Sequence, residues 1–173
     1  LFTKYTLNSP RGPIELANRI IVAPMCQYSA LNGEATDWHL MHWGNLLNSG
    51  AALFIIEATG VTPEARITPA CLGLWDDRTE AALKDKLTRA RKLAPAMPVF
   101  IQLAHAGRKA SSATPWDGGQ LIPVDQGGWE MRAPSAIPQH EGERLPHELT
   151  KAELKDLVDA FVMAAKRADR IGL

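Results

Sequence analysis

Three short apolar runs, Ile20 to Pro24, Leu53 to Glu57 and Val99 to Ile101, alternate with segments of helical periodicity, and each stops at residues unlike itself: Met25-Cys26, Ala58 and Gln102. Apolar runs of this length, without polar alternation, suit strands covered on both faces, as in parallel sheets whose crossovers are helices. Such sheets do their chemistry where strands end and the following loops begin. The three run ends therefore mark one candidate site.

The remaining punctuation fits the same plan. Thr6 to Leu16 carries Asn8-Ser9-Pro10-Arg11-Gly12-Pro13 between apolar pieces, which predicts a hairpin able to plug the bottom of a barrel. A first helix is expected from Thr36 or Asp37 to about Asn48, with Gly50 as its stop. Ala51 to Glu57 predicts the second strand, Glu80 to Leu93 the second helix, and Pro98 to Leu103 the third strand. A Gly-, Pro-, Ser- and Trp-rich segment then runs to about 149, far longer than an ordinary strand-to-helix loop, which predicts function or disorder there. Leu154, Leu157, Val158, Phe161, Val162, Ala165 and Ala168 predict a helix from Lys151 to about Arg170, with Thr150 and Glu153 as its capping box and Gly172 as its stop.

This order predicts an α/β chain, a (β/α)8 TIM barrel of which residues 1–173 supply the N-terminal hairpin, roughly the first three β/α units and the long loop after strand 3. A complete barrel takes about 250 residues and eight strands. The chain is expected to be the N-terminal half of a single domain, with its complementary C-terminal half as a partner and homo-oligomers as the assembled form.

A composition of 46% hydrophobic and 22% charged residues supplies a core. A formal net charge of zero, with no lysine or arginine block, argues against nucleic-acid and anionic-membrane partners. No apolar stretch approaches the roughly 18 residues that span a bilayer, and Leu1 to Tyr5 opens no signal-peptide apolar region, so a cytoplasmic location is the expectation. Cys26 and Cys71 form neither a paired-thiol metal pattern nor a disulfide framework and are expected to be free thiols in separate loop contexts.

The segment Asn18-Arg19-Ile20-Ile21-Val22-Ala23-Pro24-Met25-Cys26-Gln27-Tyr28-Ser29 resembles the start of the old yellow enzyme family, in the xenobiotic reductase-like branch with a cysteine and a tyrosine after the first strand. Asp37-Trp38-His39 with His42-Trp43, Glu57 to Val61, Gly73 to Asp77, Gln102 to Lys109 and Ala133 to Ala136 follow in the family's order, so the resemblance covers essentially the whole chain. It implies a barrel that binds FMN without a covalent bond, takes hydride from NADPH or NADH and passes it to a small activated alkene.

Carried over position by position, the resemblance lays the backbone of Ala23, Pro24, Met25 and Cys26 along the flavin ring and sets Ala58 against it. Gln102, whose amide both donates and accepts, is matched to the ring's pyrimidine edge. Cys26 is cast as a weak donor that tunes reduction potential, and Tyr28 as a hydroxyl on the substrate side; these two are the expected catalytic residues. The substrate-gripping histidine pair, the proton-donating tyrosine and the phosphate-binding loops are expected beyond Leu173. The alternative is a catalytically silent half barrel that self-associates without flavin. A related flavin barrel acting on dienoyl thioesters would need a cysteine cluster that two cysteines do not provide.

Other chemistry-bearing residues have structural expectations. His39 and His42 share a helix face but lack a third metal ligand; Glu57 is expected to pair with an arginine; His105 and Arg108 are expected to build their loop. Trp116 and Trp129 either border the pocket or anchor the long loop.

Overall fold

The computed structural model describes residues 1–94 and 96–173. Strands β1 (Tyr5–Ser9) and β2 (Gly12–Leu16) pair antiparallel with Ser9 opposite Gly12, so Pro10-Arg11 closes the expected hairpin. The short strand β3 (Ile21–Val22) leads to helix α1 (Asp37–Leu47), then to strand β4 (Leu53–Gly60), helix α2 (Asp77–Leu93) and strand β5 (Val99–Ala104). β3, β4 and β5 form one parallel sheet in that order, which is the βαβαβ succession that the apolar runs required.

Each helix starts where a side chain can take up the backbone N–H groups left over at its first turn. Thr36 caps α1 in a box closed by His39, whose Nδ1 accepts from Thr36 N at 3.0 Å. α2 begins three residues before the expected Glu80, because Asp76 caps it and Thr79 N donates back to the Asp76 carboxylate at 2.8 Å. Asp76 as N-cap was missed since its box partner is a threonine rather than the more familiar glutamate or glutamine.

The two faces of the sheet are separated by register. Phe54, Ile56 and Val99 point outward into a core with Trp43 and Leu47 of α1 and Leu83, Leu87 and Ala90 of α2. Ile55 and Phe100 point the other way and meet Leu16 with Leu7 and Ile14 of the hairpin, so the hairpin does close the amino ends of the strands. Burial of each such leucine contributes about 2 kcal/mol, and the chain's two-sided packing needs both clusters.

β4 does not end at Glu57 as expected; it runs on to Gly60 through a register shift between Ile56 and Ala58. Glu57 is thus the extra residue of a bulge, and bulges re-aim side chains locally. β5 keeps close to its expected Pro98–Leu103 span, ending one residue later at Ala104.

The segment after β5 is ordered by its own hydrogen bonds. It contains strands β6 (Arg132–Ala133) and β7 (His147–Glu148), paired parallel, and Ser111 Oγ accepts from Trp129 N at 2.9 Å. Helix α3 (Lys151–Arg170) then runs between its expected bounds, with Thr150 N donating to Glu153 at 2.8 Å in the expected capping box. Its buried face agrees with the expectation only in part: Ala168 is buried and Leu157 and Phe161 pack against the core, joined by Ala164, whereas Leu154, Val158, Val162 and Ala165 are exposed. Helical spacing locates a stripe but not what covers it.

Candidate functional site at the strand ends

The bulge at Glu57 sets Ala58 directly opposite Gln102 in the parallel ladder. Without the extra residue, the alternation of β4 would turn Ala58 to the outer face. Gln102 is exposed on the inner face, in line with Phe100 and Ala104, and with Ala58 it lines an open concavity that Arg66, His105 and Lys109 also border.

The turn after β3 closes over this pair. The Ala58 N–H lies on the side of the Cys26 sulfur, which brings the loop after β3 to the end of β4. Gln27 N donates to Glu57 Oε2 at 2.9 Å, so the carboxylate released by the bulge fixes the same turn from its other side. Among the described residues Glu57 has no arginine partner, contrary to expectation: its Oε1 faces His39 Nε2 at 3.4 Å, and neither atom has another partner among those residues. Because His39 Nδ1 accepts from Thr36 N, the ring proton sits on Nε2 and points at the carboxylate. The carboxylate therefore links β4, α1 and the turn carrying Met25, Cys26 and Gln27.

Tyr28 adopts φ 48°, a left-handed conformation unusual for an aromatic residue. Its ring meets Trp116 edge-on at 5.5 Å, so Trp116 packs from the long loop onto the turn after β3. Trp129 anchors the loop instead, donating Nε1–H to Glu64 O at 3.0 Å. The guanidinium of Arg66 lies 5.3 Å from the Trp75 ring and 5.0 Å from Trp129, and burial lowers its pKa. Burial, followed by the charges of Cys26, Cys71 and Glu57, raises the Tyr28 hydroxyl, which keeps it a protonated donor at neutral pH.

Of the seven expected site residues, Ala23, Pro24, Met25, Cys26 and Tyr28 follow β3 in one turn, and Ala58 and Gln102 stand side by side. Ala23 and Met25 are exposed. His105 accepts from Gly107 N at 3.1 Å and Arg108 donates to Ser135 Oγ at 3.0 Å, both loop-building roles as expected. His39 is buried in the α1 cap, and among the described residues no group of three or more His, Cys, Asp or Glu could hold a metal.

Cys71 is the member the sequence did not suggest. Expected in a separate loop context, it instead lies near Cys26, and both thiols are free as expected. No spacing rule links the two positions, because the loop after β4 reaches the loop after β3 only through tertiary structure. Gly33 and Gly73 permit that approach: a Cβ on Gly73 would stand 1.9 Å from the Trp75 ring.

A family model described as NADH:flavin oxidoreductase / NADH oxidase matches residues 10–173. An NADH:flavin oxidoreductase of Gibberella zeae is 42% identical over an alignment of 176 positions that covers 99% of this chain and 41% of that protein. An NADPH dehydrogenase of Geobacillus thermodenitrificans is 40% identical over an alignment of 174 positions that covers 99% of this chain and 45% of that protein. The chain thus spans about half the length of the curated relatives it matches. A structure of morphinone reductase superimposes with a TM-score of 0.78 at 26% identity, covering all of this chain and 46% of that one. The same enzyme in complex with tetrahydroNAD gives 0.77 at 26% identity, covering 100% of this chain and 47% of that one. The hairpin, the three parallel strands and their helices are accordingly part of a (β/α)8 barrel.

Proposed function

Since the chain belongs to the NADH:flavin oxidoreductase / NADH oxidase family, we propose that it forms the N-terminal half of the single barrel domain of an FMN-dependent ene-reductase. Bound at the strand ends, FMN would supply two-electron chemistry, accepting hydride from NADPH or NADH and delivering it to the β-carbon of a small activated alkene. The observation that carries this reading is the pairing of Ala58 with Gln102 beneath the Cys26 turn.

The residues present fit a flat heterocycle. Ala58 offers only a methyl group toward the concavity, so a ring can approach the backbone there without collision. Gln102 presents a donor and an acceptor from one plane, the complement of a pyrimidine edge. The backbone of Ala23, Pro24, Met25 and Cys26 would lie along the ring, with the Cys26 S–H group as a weak donor beside its reactive end. Tyr28, held protonated and packed on Trp116, would place its hydroxyl toward the alkene.

The histidine pair that grips the substrate carbonyl, the proton-donating tyrosine and the phosphate loops would come from outside residues 1–173, so turnover is proposed for the completed barrel. A cytoplasmic location and homo-oligomeric assembly belong to the same reading; among the described residues, no helix is long and apolar enough to cross a membrane.

The test is a visible absorption spectrum of the purified completed protein, followed by NADPH bleaching and reoxidation by an enone. An oxidised-flavin band that bleaches and recovers supports the reading. Gln102→Ala should weaken FMN about tenfold, the equivalent of about 1.4 kcal/mol. A folded protein that takes up no FMN in a titration would overturn it.

A further inference from the structure

The loop after β5 makes one closed excursion over residues 111–122. At its base Ile122 N donates to Ser111 O at 2.7 Å and Ala113 N to Gln120 O at 2.8 Å, so the chain leaves and returns at the same place. At its tip Asp117 N and Gly119 N both donate to Thr114 O, at 2.9 and 3.1 Å, and the Thr114 hydroxyl donates to the Asp117 carboxylate. Gly118 and Gly119 complete the turn at φ 100° and 69°, left-handed values that glycine adopts without strain. Trp116 sits inside this tip, between Pro115 and Asp117. A compact loop whose ends are close and whose backbone bonds to itself presents its tip in one place.

Both ends of the excursion reach the candidate site. Ser112 N at the base donates to Ile67 O at 2.9 Å, and Ile67 borders the same concavity as Ala58 and Gln102. At the tip the Trp116 and Tyr28 rings meet at 5.5 Å with 83° between their planes. The excursion therefore spans from the loop after β4 to the turn after β3. Contact with Tyr28 covers little of the indole, which stays 67% exposed. Most of a large apolar ring is thus held in water beside a hydroxyl donor, and a flat ligand would take that surface out of water.

We propose that Trp116 is a specificity-determining residue of this site, an apolar wall that selects activated alkenes carrying a flat ring, cyclic or aryl-substituted, over open-chain ones. The inference rests on the proposed function, which places the alkene beside the Tyr28 hydroxyl. The substrate's polar end is left to that hydroxyl and its apolar body to the indole, so orientation and shape preference come from neighbouring side chains of two different loops. Covering about 40 Å² of indole surface corresponds to roughly fivefold in kcat/KM.

The test compares 2-cyclohexen-1-one with the open-chain 3-hexen-2-one on the completed, FMN-loaded protein. Trp116→Ala should lower the preference for the cyclic enone, read as the ratio of the two kcat/KM values, by roughly fivefold, through KM rather than kcat. Trp116→Phe should recover part of the loss. A role in holding the loop alone would lower both values alike, so an unchanged ratio overturns the proposal. A second measurement needs no turnover: titration with acetophenone, a flat aryl ketone, followed at the indole N–H resonances, where the Trp116 signal is identified by its loss in Trp116→Phe. That signal should shift to saturation while the signal of Trp43, buried under α1, stays in place. No shift overturns the wall, as does a shift that follows protein concentration instead of acetophenone, which would make Trp116 a contact between copies. In a protein that took up no FMN, a saturable Trp116 shift would uphold the wall while the proposed function fell; with FMN bound, a silent Trp116 would remove the wall and leave that function standing.

Discussion

Glu57 shows how much one residue can hold at this site. Its carboxylate accepts from Gln27 N and faces His39 Nε2, so one buried side chain joins the sheet, the first helix and the Cys26 turn. Glu57→Gln keeps the volume, but its amide NH2 would face the protonated Nε2 of His39, setting donor against donor. A loss of about 2 kcal/mol in unfolding free energy is expected from denaturant melts, because buried donors left without acceptors lose their hydration uncompensated. A double variant that also removes the His39 donor should recover part of that loss; strictly additive losses would remove the pairing. The sequence marked Glu57 as buried and structural but assigned it the wrong partner, since an arginine is the usual companion and only the bulge turns it toward His39.

The helices were legible because their signals are local. The Thr150–Glu153 box could be read from two residues three apart, and the structure places it at the start of α3. Backbone hydrogen bonding at Thr150, then the contact with His147, holds the Glu153 carboxyl at about 2, below its ordinary 4.5. A depressed acid stabilises the folded state fully above the unfolded value and loses that contribution as pH falls through the folded one. The stability difference between the native protein and Glu153→Gln should therefore be largest above pH 4.5 and shrink as pH falls toward 2, measured by chemical denaturation across that window. A pH-independent difference would mean that the box acts through packing alone. The strands were less legible: β4 extends past the residue that ends its apolar run, because ladder bonds to a neighbour, not hydrophobicity, decide where a strand stops.

At the scale of the whole molecule, three parallel strands carry helices on one face and the hairpin at one end, while much of the other face stays open. α3 exposes Val158 at 61% and Val162 at 45%. In the 173-residue chain by itself, a contiguous apolar stripe of this kind favours association. Sedimentation velocity should show a concentration-dependent species that Val158→Lys with Val162→Lys reduces toward the monomer; equal behaviour of the two would clear the stripe of that role. The relatives are about twice as long, which agrees with a sheet that continues beyond the strands seen here.

By itself the sequence determined the order of the main strands and helices, the cap of α3, the start of α1 to within one residue, the hairpin and the run of residues at the strand ends. Those properties rest on hydrophobic period, turn chemistry and short-range capping, all written within a few positions of one another. Tertiary structure alone decided that Glu57 becomes a bulge facing His39, that Ala58 therefore stands beside Gln102, and that Cys71 lies near Cys26. Each of these depends on register or on two loops closing over one sheet edge, and neither register nor loop contact leaves a periodic trace in the chain.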